Sequence, residues 1–350
     1  MSAPVSYLSA TGSLNMRIDI RGDGVAALTC SYLLQTAGCN TAIQRNTRPL
    51  LPALMVSASS QALFCDILNA ADALSNLPRI ETRVVKWGPS ATTIALPHSA
   101  VVVSEELLQS RIAKLVRFDC GSDDSPDWAI ISSRPLPDLP MEHTFGQRMA
   151  TVVPVKLQSR SAPSTCWIES VKEGWLFLLP EGSGEGSGAG WLMSVGGSAD
   201  SQLSVSEVVA AQITHLSEST REFPAHPRVA WPLTGSHWLA CGTAALAFDP
   251  LCGDGTGHAI REAILAAAVL RAIQRGANVD ELLNHYQARL VGGFKRHLSV
   301  CSEFYESGGT GPWWQAAAEA IREGLAWCDH QLNSAGEFHY RLRGFDLERL

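Results

Sequence analysis

Two glycine-spaced turns far apart in the chain carry the residues best suited to chemistry. The first is Arg21-Gly22-Asp23-Gly24-Val25-Ala26-Ala27; the second follows Phe248-Asp249-Pro250 and places Gly253, Gly255 and Gly257 ahead of an alanine-rich run. Glycines at the entrance to a helix let a ligand approach the backbone closely, and the first turn of a helix has N–H groups with no partner inside the helix. Such a turn holds an anionic or electron-rich group, a pyrophosphate or the polar edge of a ring. This is binding chemistry rather than a reaction. No G-x-S-x-G, H-E-x-x-H or C-x-x-C pattern occurs anywhere in the chain, so no nucleophile elbow, zinc helix or redox pair is expected.

The elements that must position these turns are legible around them. Met16 to Ile20 reads as a strand, LTCSYLLQTAG as a helix closed by Gly38, and Thr41 to Gln44 as a second strand, which is the dinucleotide-binding βαβ order. The third glycine position is Ala27. At the end of the second strand, where an acid would accept the ribose hydroxyls of an adenosine, stands Arg45, which can only donate; a weakly held, exchangeable dinucleotide is expected. Near the second turn, Trp238 to Cys241 reads as a buried strand ending in Gly242-Thr243, and AIREAILAAAVLRAI as the helix beyond Gly257. Asp127 to Ser132 is a further strand candidate, and SSQALFCDILNAADAL and LLQSRIAKLV are helix candidates.

The stretch from Ser236 to Ala263 resembles the second flavin-contact motif of the flavin-dependent aromatic hydroxylases and tryptophan halogenases, a G-D-A-A segment followed by a Pro, a G-x-G turn and a helix. Matched position by position, the resemblance falls on Gly242, Ala244, Pro250, Gly253, Gly255 and Glu262, with Thr243 in place of the family's Asp. It implies FAD as cofactor, with pyrophosphate at Gly22, Gly24 and Ala27, adenosine near Arg45, the ribityl chain by Gly242 and Thr243, and the flavin ring against Pro250, Gly253, Gly255 and Gly257. Phe145-Gly146-Gln147-Arg148 resembles the family's entry into its substrate sheet. Arg148 reads there as a structural ion-pair residue or as a substrate contact. Gly174-Trp175-Leu176-Phe177 resembles the halogenase G-W-x-W box with Phe177 for the second Trp. Pro250, Asp249 and Trp175 are the residues the resemblance places beside the reacting centre.

The implied fold is α/β: a Rossmann-type, glutathione-reductase-like FAD-binding domain formed by residues 16–135 and 231–277, an inserted mixed β-sheet substrate domain at 136–230, and a helical region at 278–350. Within it, VSEVVAAQITHL is expected to be helical, Glu181 to Gly190 a flexible hairpin loop, and Gly308 to Trp314 a flexible, tryptophan-bearing connection that with that loop could rim a cleft.

Composition fits a buried globular core, with 46% hydrophobic and 17% charged residues. A net charge of −7 gives no reason to expect nucleic acid, and no apolar run suits a membrane helix; a cytoplasmic protein is expected. The nine cysteines are scattered, and His285, His297, His330 and His339 lack paired metal spacing, so no metal is expected.

Three functions remain open. Short length, together with PHSAVVVSEE and FDPLCGDGTGHAIREA, gives the chain most resemblance to the compact flavoproteins that mature cysteine tryptophylquinone oxidases. That implies hydroxylation of a tryptophan within a partner, the precursor of a quinone-cofactor oxidase. The alternatives are a small-molecule aromatic hydroxylase or halogenase, and a flavin-fold binding protein without catalysis. A halogenase would need a lysine after the first βαβ unit; none lies between Arg48 and Val85, and Lys86 sits in a strand-like run.

Overall fold

The computed structural model describes residues 16–46, 48–118, 125–138, 140–182, 188–334, 336 and 338–350. Its helices are α1 (Val25–Thr36), α2 (Ala58–Leu68), α3 (Glu105–Ala113), α4 (Ala199–Leu203), α5 (Gly255–Gln274), α6 (Val279–Ser307) and α7 (Pro312–Ser334). None is long and apolar enough to cross a membrane.

Ile18 and Ile20, both wholly buried, anchor Arg17–Arg21 as an interior strand of a five-stranded sheet. Asn40–Gln44 and Trp128–Ile131 flank it in parallel, Trp238–Ala240 pairs in parallel with Trp128–Ile131, and Thr234–Gly235 closes the edge. Continuous apolar strands suit a parallel sheet covered on its faces. Here α1 and α5 pack on one another, with the Cys30 thiol against the Ala263 carbonyl at 3.5 Å. The expected βαβ unit and the strands ahead of both glycine turns are all present.

The second sheet has nine strands and is mixed. Leu54–Ser57, Arg79–Lys86 and Ile94–Val103 belong to it, and Arg79–Lys86 runs parallel to Thr165–Val171. The sequence boundary at 136 therefore divides strands that share one sheet. In Gly174–Pro180, Trp175 lies in the main core with α6, while Leu176 and Leu178 lie in a separate cluster on the outer face.

That outer face is covered by residues 199–216, where the structure departs from the sequence reading. VSEVVAAQITHL is not a helix but a bend, a single 3-10 turn at Ala210–Gln212 and a strand at Ile213–Leu216. The cause is the buried Glu169 carboxylate, which accepts from the Ser206 hydroxyl at 2.5 Å and from the backbone N–H groups of Glu207, Val208 and Val209 at 2.8, 3.0 and 2.9 Å. A charged acceptor gathering successive N–H groups outcompetes helix in a segment rich in β-branched valines.

The connection before α7 also differs from expectation. Trp314 is buried and donates from its indole to the Val171 carbonyl at 3.0 Å. A Cβ at Gly308 or Gly309 would come within 2.2 or 2.3 Å of that indole, so the glycines serve close packing rather than looseness. Of the expected hairpin loop at Glu181 to Gly190, residues 183–187 lie outside the described residues. The tail is not helical throughout, since Tyr340–Arg343 and Asp346–Arg349 form a hairpin held to α5 by Asp346 with Arg271 and Arg275.

Replacing Glu169 with Ala is expected to cost about 3 kcal/mol or more of unfolding free energy, because it strands several buried donors at once. Urea denaturation of the variant beside the parent chain is the check.

Candidate functional site

Gly22 adopts φ +118°, and a Cβ there would lie 2.4 Å from the Ser132 hydroxyl oxygen, so the tight turn out of the first strand requires glycine. Gly24 is the N-cap of α1, in extended backbone, and offers no side-chain cap; the first turn of α1 holds no acidic residue. Its leading N–H groups are left for something outside the helix. Ala27 is wholly buried beneath that turn.

Arg48, missed in the sequence reading, lies beside it. Its Nη2 would be 3.6 Å from a Cβ at Gly24, and its guanidinium bonds both oxygens of Glu105, a pairing that raises its pKa. Arg45, at the end of Asn40–Gln44, is exposed and stacks on the Phe118 ring, 4.7 Å from its centroid.

The second turn is assembled against the first. Gly242 has φ +62°, and its Cβ position would lie 3.0 Å from the Ala26 side chain, so the Gly242–Ala244 turn sits directly on the start of α1. Thr243 is exposed there and Ala244 buried. The Gly242 N–H donates to the buried Glu262 carboxyl of α5 at 2.7 Å. Burial pushes that carboxyl up to about 8, with the Gly242 hydrogen bond opposing.

Pro250 begins a 3-10 turn ending at Cys252, and Gly253 follows at φ +64°. Asp254 occupies the N-cap of α5 but does not cap it; its carboxylate turns to Ser60 at 2.6 Å and Arg261 at 2.8 Å. Gly255 is exposed, and nothing lies within 4 Å of the position its Cβ would take. Gly257 is enclosed by Ser60 and Asp254, which explains its lack of a side chain. Two helix starts without side-chain caps thus open near one another. That arrangement suits one extended ligand with an anionic centre and a polar ring edge.

Asp249 and Trp175, assigned separately from sequence, meet in one buried chain of hydrogen bonds. The Asp249 carboxylate accepts from Arg148 at 3.0 Å, from the Tyr305 hydroxyl at 2.8 Å and from the Leu251 N–H at 3.0 Å, and the Trp175 indole donates to Tyr305 at 3.4 Å. Burial opposes the Arg148 charge, but Tyr305 and Asp249 outweigh it and raise its pKa; Tyr305 is raised by burial and then by Asp249. Arg148 is therefore an ion-pair residue, yet its Nε and Nη1 have no hydrogen-bond partner. Tyr305 escaped the sequence reading because a tyrosine deep in a tail helix carries no motif. Pro250 is half-buried, the Asp249–Pro250 peptide held from behind by Asp249's partners.

The same tail helix brings His297 and Cys301 to Cys252, their ligand-capable atoms all within 4.8 Å of one another. The signal was present as His297 and Cys301 four apart on a helix, a histidine–cysteine pair rather than the paired histidines of a metal helix.

Compared by fold, the chain superposes on CmlS, a flavin-dependent halogenase, with a TM-score of 0.75 at 14% identity over 96% of this chain and 84% of that one. It also superposes on QhpG, a peptidyl tryptophan dihydroxylase essential for tryptophylquinone cofactor biogenesis, at TM-score 0.65 and 17% identity over 87% and 78%. A third match is HpxO of Klebsiella pneumoniae, solved with FAD and uric acid, at TM-score 0.62 and 15% identity over 94% and 99%. The chain has the fold of the FAD-dependent halogenases and monooxygenases. No family model and no curated protein matches its sequence.

The face of the nine-stranded sheet that carries Trp175 reaches the second glycine turn through Tyr305 and Asp249. Phe177 and Met193 stand opposite each other in register on that face, both half-buried. A cavity of about 560 Å³ lies elsewhere, lined by Thr151, Val153, Gly197, Leu216 and Trp313, and only Arg148 reaches it from the Asp249 network. Lys86 is on the outer face, 2.6 Å from Glu207 and 4.0 Å from Glu169.

Glu262 gives the fold a signed pH dependence. Burial holds its folded pKa at about 8, above the ordinary glutamate value of 4.5, so between those values the folded chain binds the extra proton and stability falls as pH rises. The slope it contributes is at most about 1.4 kcal/mol per pH unit. Glu262→Gln is expected to flatten the curve, measured by urea midpoints of both proteins at about pH 5.5 and about pH 7.5, both inside that window.

Proposed function

We propose that this chain binds FAD in an extended pose and acts as a monooxygenase on an aromatic ring, its substrate a tryptophan side chain in the precursor of a partner quinone-cofactor oxidase. The observation that carries the proposal is the convergence of two helix starts without side-chain caps, at Gly24 and at Asp254, across the contact of Gly242 with Ala26. Pyrophosphate would lie on the Gly22–Ala27 turn, where Arg48 supplies a nearby cation, and the flavin against Pro250 to Gly257. Gly255, with no neighbour within 4 Å of its missing Cβ, leaves room for a ring edge. Bound and reduced, a flavin activates dioxygen so that one oxygen atom can pass to an electron-rich ring. The chain's part is positional: Asp249, Arg148 and Tyr305 fix the Pro250 turn, and the sheet face bearing Phe177 and Met193 offers an apolar floor that excludes water.

Hydroxylation is preferred to halogenation because Lys86, the one lysine near the expected position, is committed to Glu207 and Glu169 on the opposite face. A protein substrate is preferred because QhpG, which shares the fold, is described as acting on a peptidyl tryptophan. Small-molecule aromatic hydroxylation is the second reading, favoured by the likeness to HpxO, solved with uric acid.

Titrating the apoprotein with FAD is expected to quench flavin fluorescence to saturation; no change at high FAD sinks the cofactor assignment. Arg45→Glu, which restores a ribose acceptor at the end of Asn40–Gln44, is expected to tighten that binding several-fold. An unaltered dissociation constant means the adenosine does not lie there.

For the substrate, the chain is co-expressed with a candidate oxidase precursor and the precursor is weighed by mass spectrometry. Gain of one or two oxygen atoms on a tryptophan is the expected outcome. No gain, together with turnover of a free indole, moves the reaction to a metabolite.

A further inference from the structure

The Pro250 turn ends in a thiol that the proposed oxygen chemistry does not use. Cys252 closes the 3-10 turn and is half-buried, while Cys301 faces it from α6 and is wholly buried. Their sulfurs stand 3.6 Å apart. One helical turn before Cys301, His297 places Nε2 3.4 Å from the Cys301 sulfur. The same Nε2 accepts the Asp249 N–H at 3.0 Å, so its lone pair is engaged by backbone. A metal held by all three residues would have to break that bond and strand a buried N–H. Two facing thiols, one accessible and one enclosed, are the arrangement of an attacking and a resolving cysteine. The electrostatics agree with the geometry: the hydrogen bond from Cys301 is the main cause pulling the Cys252 thiol down to about 6, against its burial, and the same bond holds the Cys301 proton in place.

We propose that Cys252 and Cys301 form a reversible dithiol–disulfide pair, oxidised by hydrogen peroxide, whose closure draws the Pro250–Gly257 turn toward α6 and changes its grip on its ligand. In the first step the Cys252 thiolate attacks one peroxide oxygen, the O–O bond breaks, and a Cys252 sulfenic acid and one water result once a proton is taken up. In the second step the Cys301 sulfur attacks that sulfenic sulfur, its proton leaves with the hydroxyl as a second water, and the S–S bond forms. Two electrons pass from the thiols to the peroxide, and an external thiol reverses the reaction. The sulfurs must approach by about 1.5 Å to reach disulfide length. Gly253, already left-handed, and Gly255, with open space around it, let the turn follow. The effect on the ligand rests on the FAD reading above; the covalent step does not.

The test uses the full chain, reduced and then treated with hydrogen peroxide. Peptide mass mapping without reductant is expected to find Cys252 joined to Cys301, reversed by dithiothreitol. Cys301→Ser is expected to stop at a Cys252 sulfenic acid that dimedone captures, which also shows the variant is folded enough to react selectively. Hydrogen exchange at residues 250–257 is expected to differ between the oxidised and reduced forms, and FAD affinity to differ several-fold, a difference lost in Cys301→Ser.

Absence of the crosslink, or one zinc ion per purified chain that is lost in Cys252→Ser, overturns the proposal. So does a crosslink that leaves both hydrogen exchange and FAD affinity unchanged. If neither form binds FAD, the flavin reading fails, and the crosslink with altered exchange still upholds the switch.

Discussion

Everything around the second glycine turn depends on one buried carboxylate. Asp249 sits just before Pro250, and its two oxygens are divided among the turn itself, the entry to the nine-stranded sheet at Arg148 and the tail helix at Tyr305. A charge out of water is tolerable only when its lone pairs are filled, and here three parts of the chain distant in sequence must arrive together to fill them. The Asp249 amide is held in turn by His297. A short proline turn, which has little packing of its own, thereby inherits the rigidity of two much larger elements.

The first and second turns are coupled by a different device. Gly242 meets α1 through Ala26 and is tied to α5 by Glu262. With its pKa near 8 this acid is protonated at neutral pH, so the link across the site is made by an uncharged carboxyl that adds no negative charge beside the anion-seeking starts of α1 and α5. A carboxylate held ionised there would compete for the same N–H groups that the site leaves open.

Much of the fold was readable from local signals. The strand, glycine turn and helix at Met16 to Gly38 and again at Trp238 to Gln274 each combine periodicity with punctuation, and both recur in the structure, the strands within a residue of their reading and the helices starting earlier, at Val25 rather than Leu28 and at Gly255 rather than Ala259. The reading failed where a distant group overrode local preference. VSEVVAAQITHL has a helical pattern, but Glu169 takes its N–H groups. The Gly308–Trp314 segment looks loose by composition, but its glycines make way for a buried indole. Tyr305 and Arg48 were illegible for a related reason: their significance lies in Asp249 and in the Gly24 turn, which no spacing along the chain connects to them. His297 and Cys301 were within reach at helical spacing, and only Cys252 needed the fold to join them.

The parallel pairing of Arg79–Lys86 with Thr165–Val171 has a mechanical consequence. A strand that follows the first βαβ unit is stitched into the middle of the sheet formed by the later residues, so that sheet cannot open between its early and late strands without tearing a ladder. Such a sheet behaves less like a pair of jaws than like a fixed anvil.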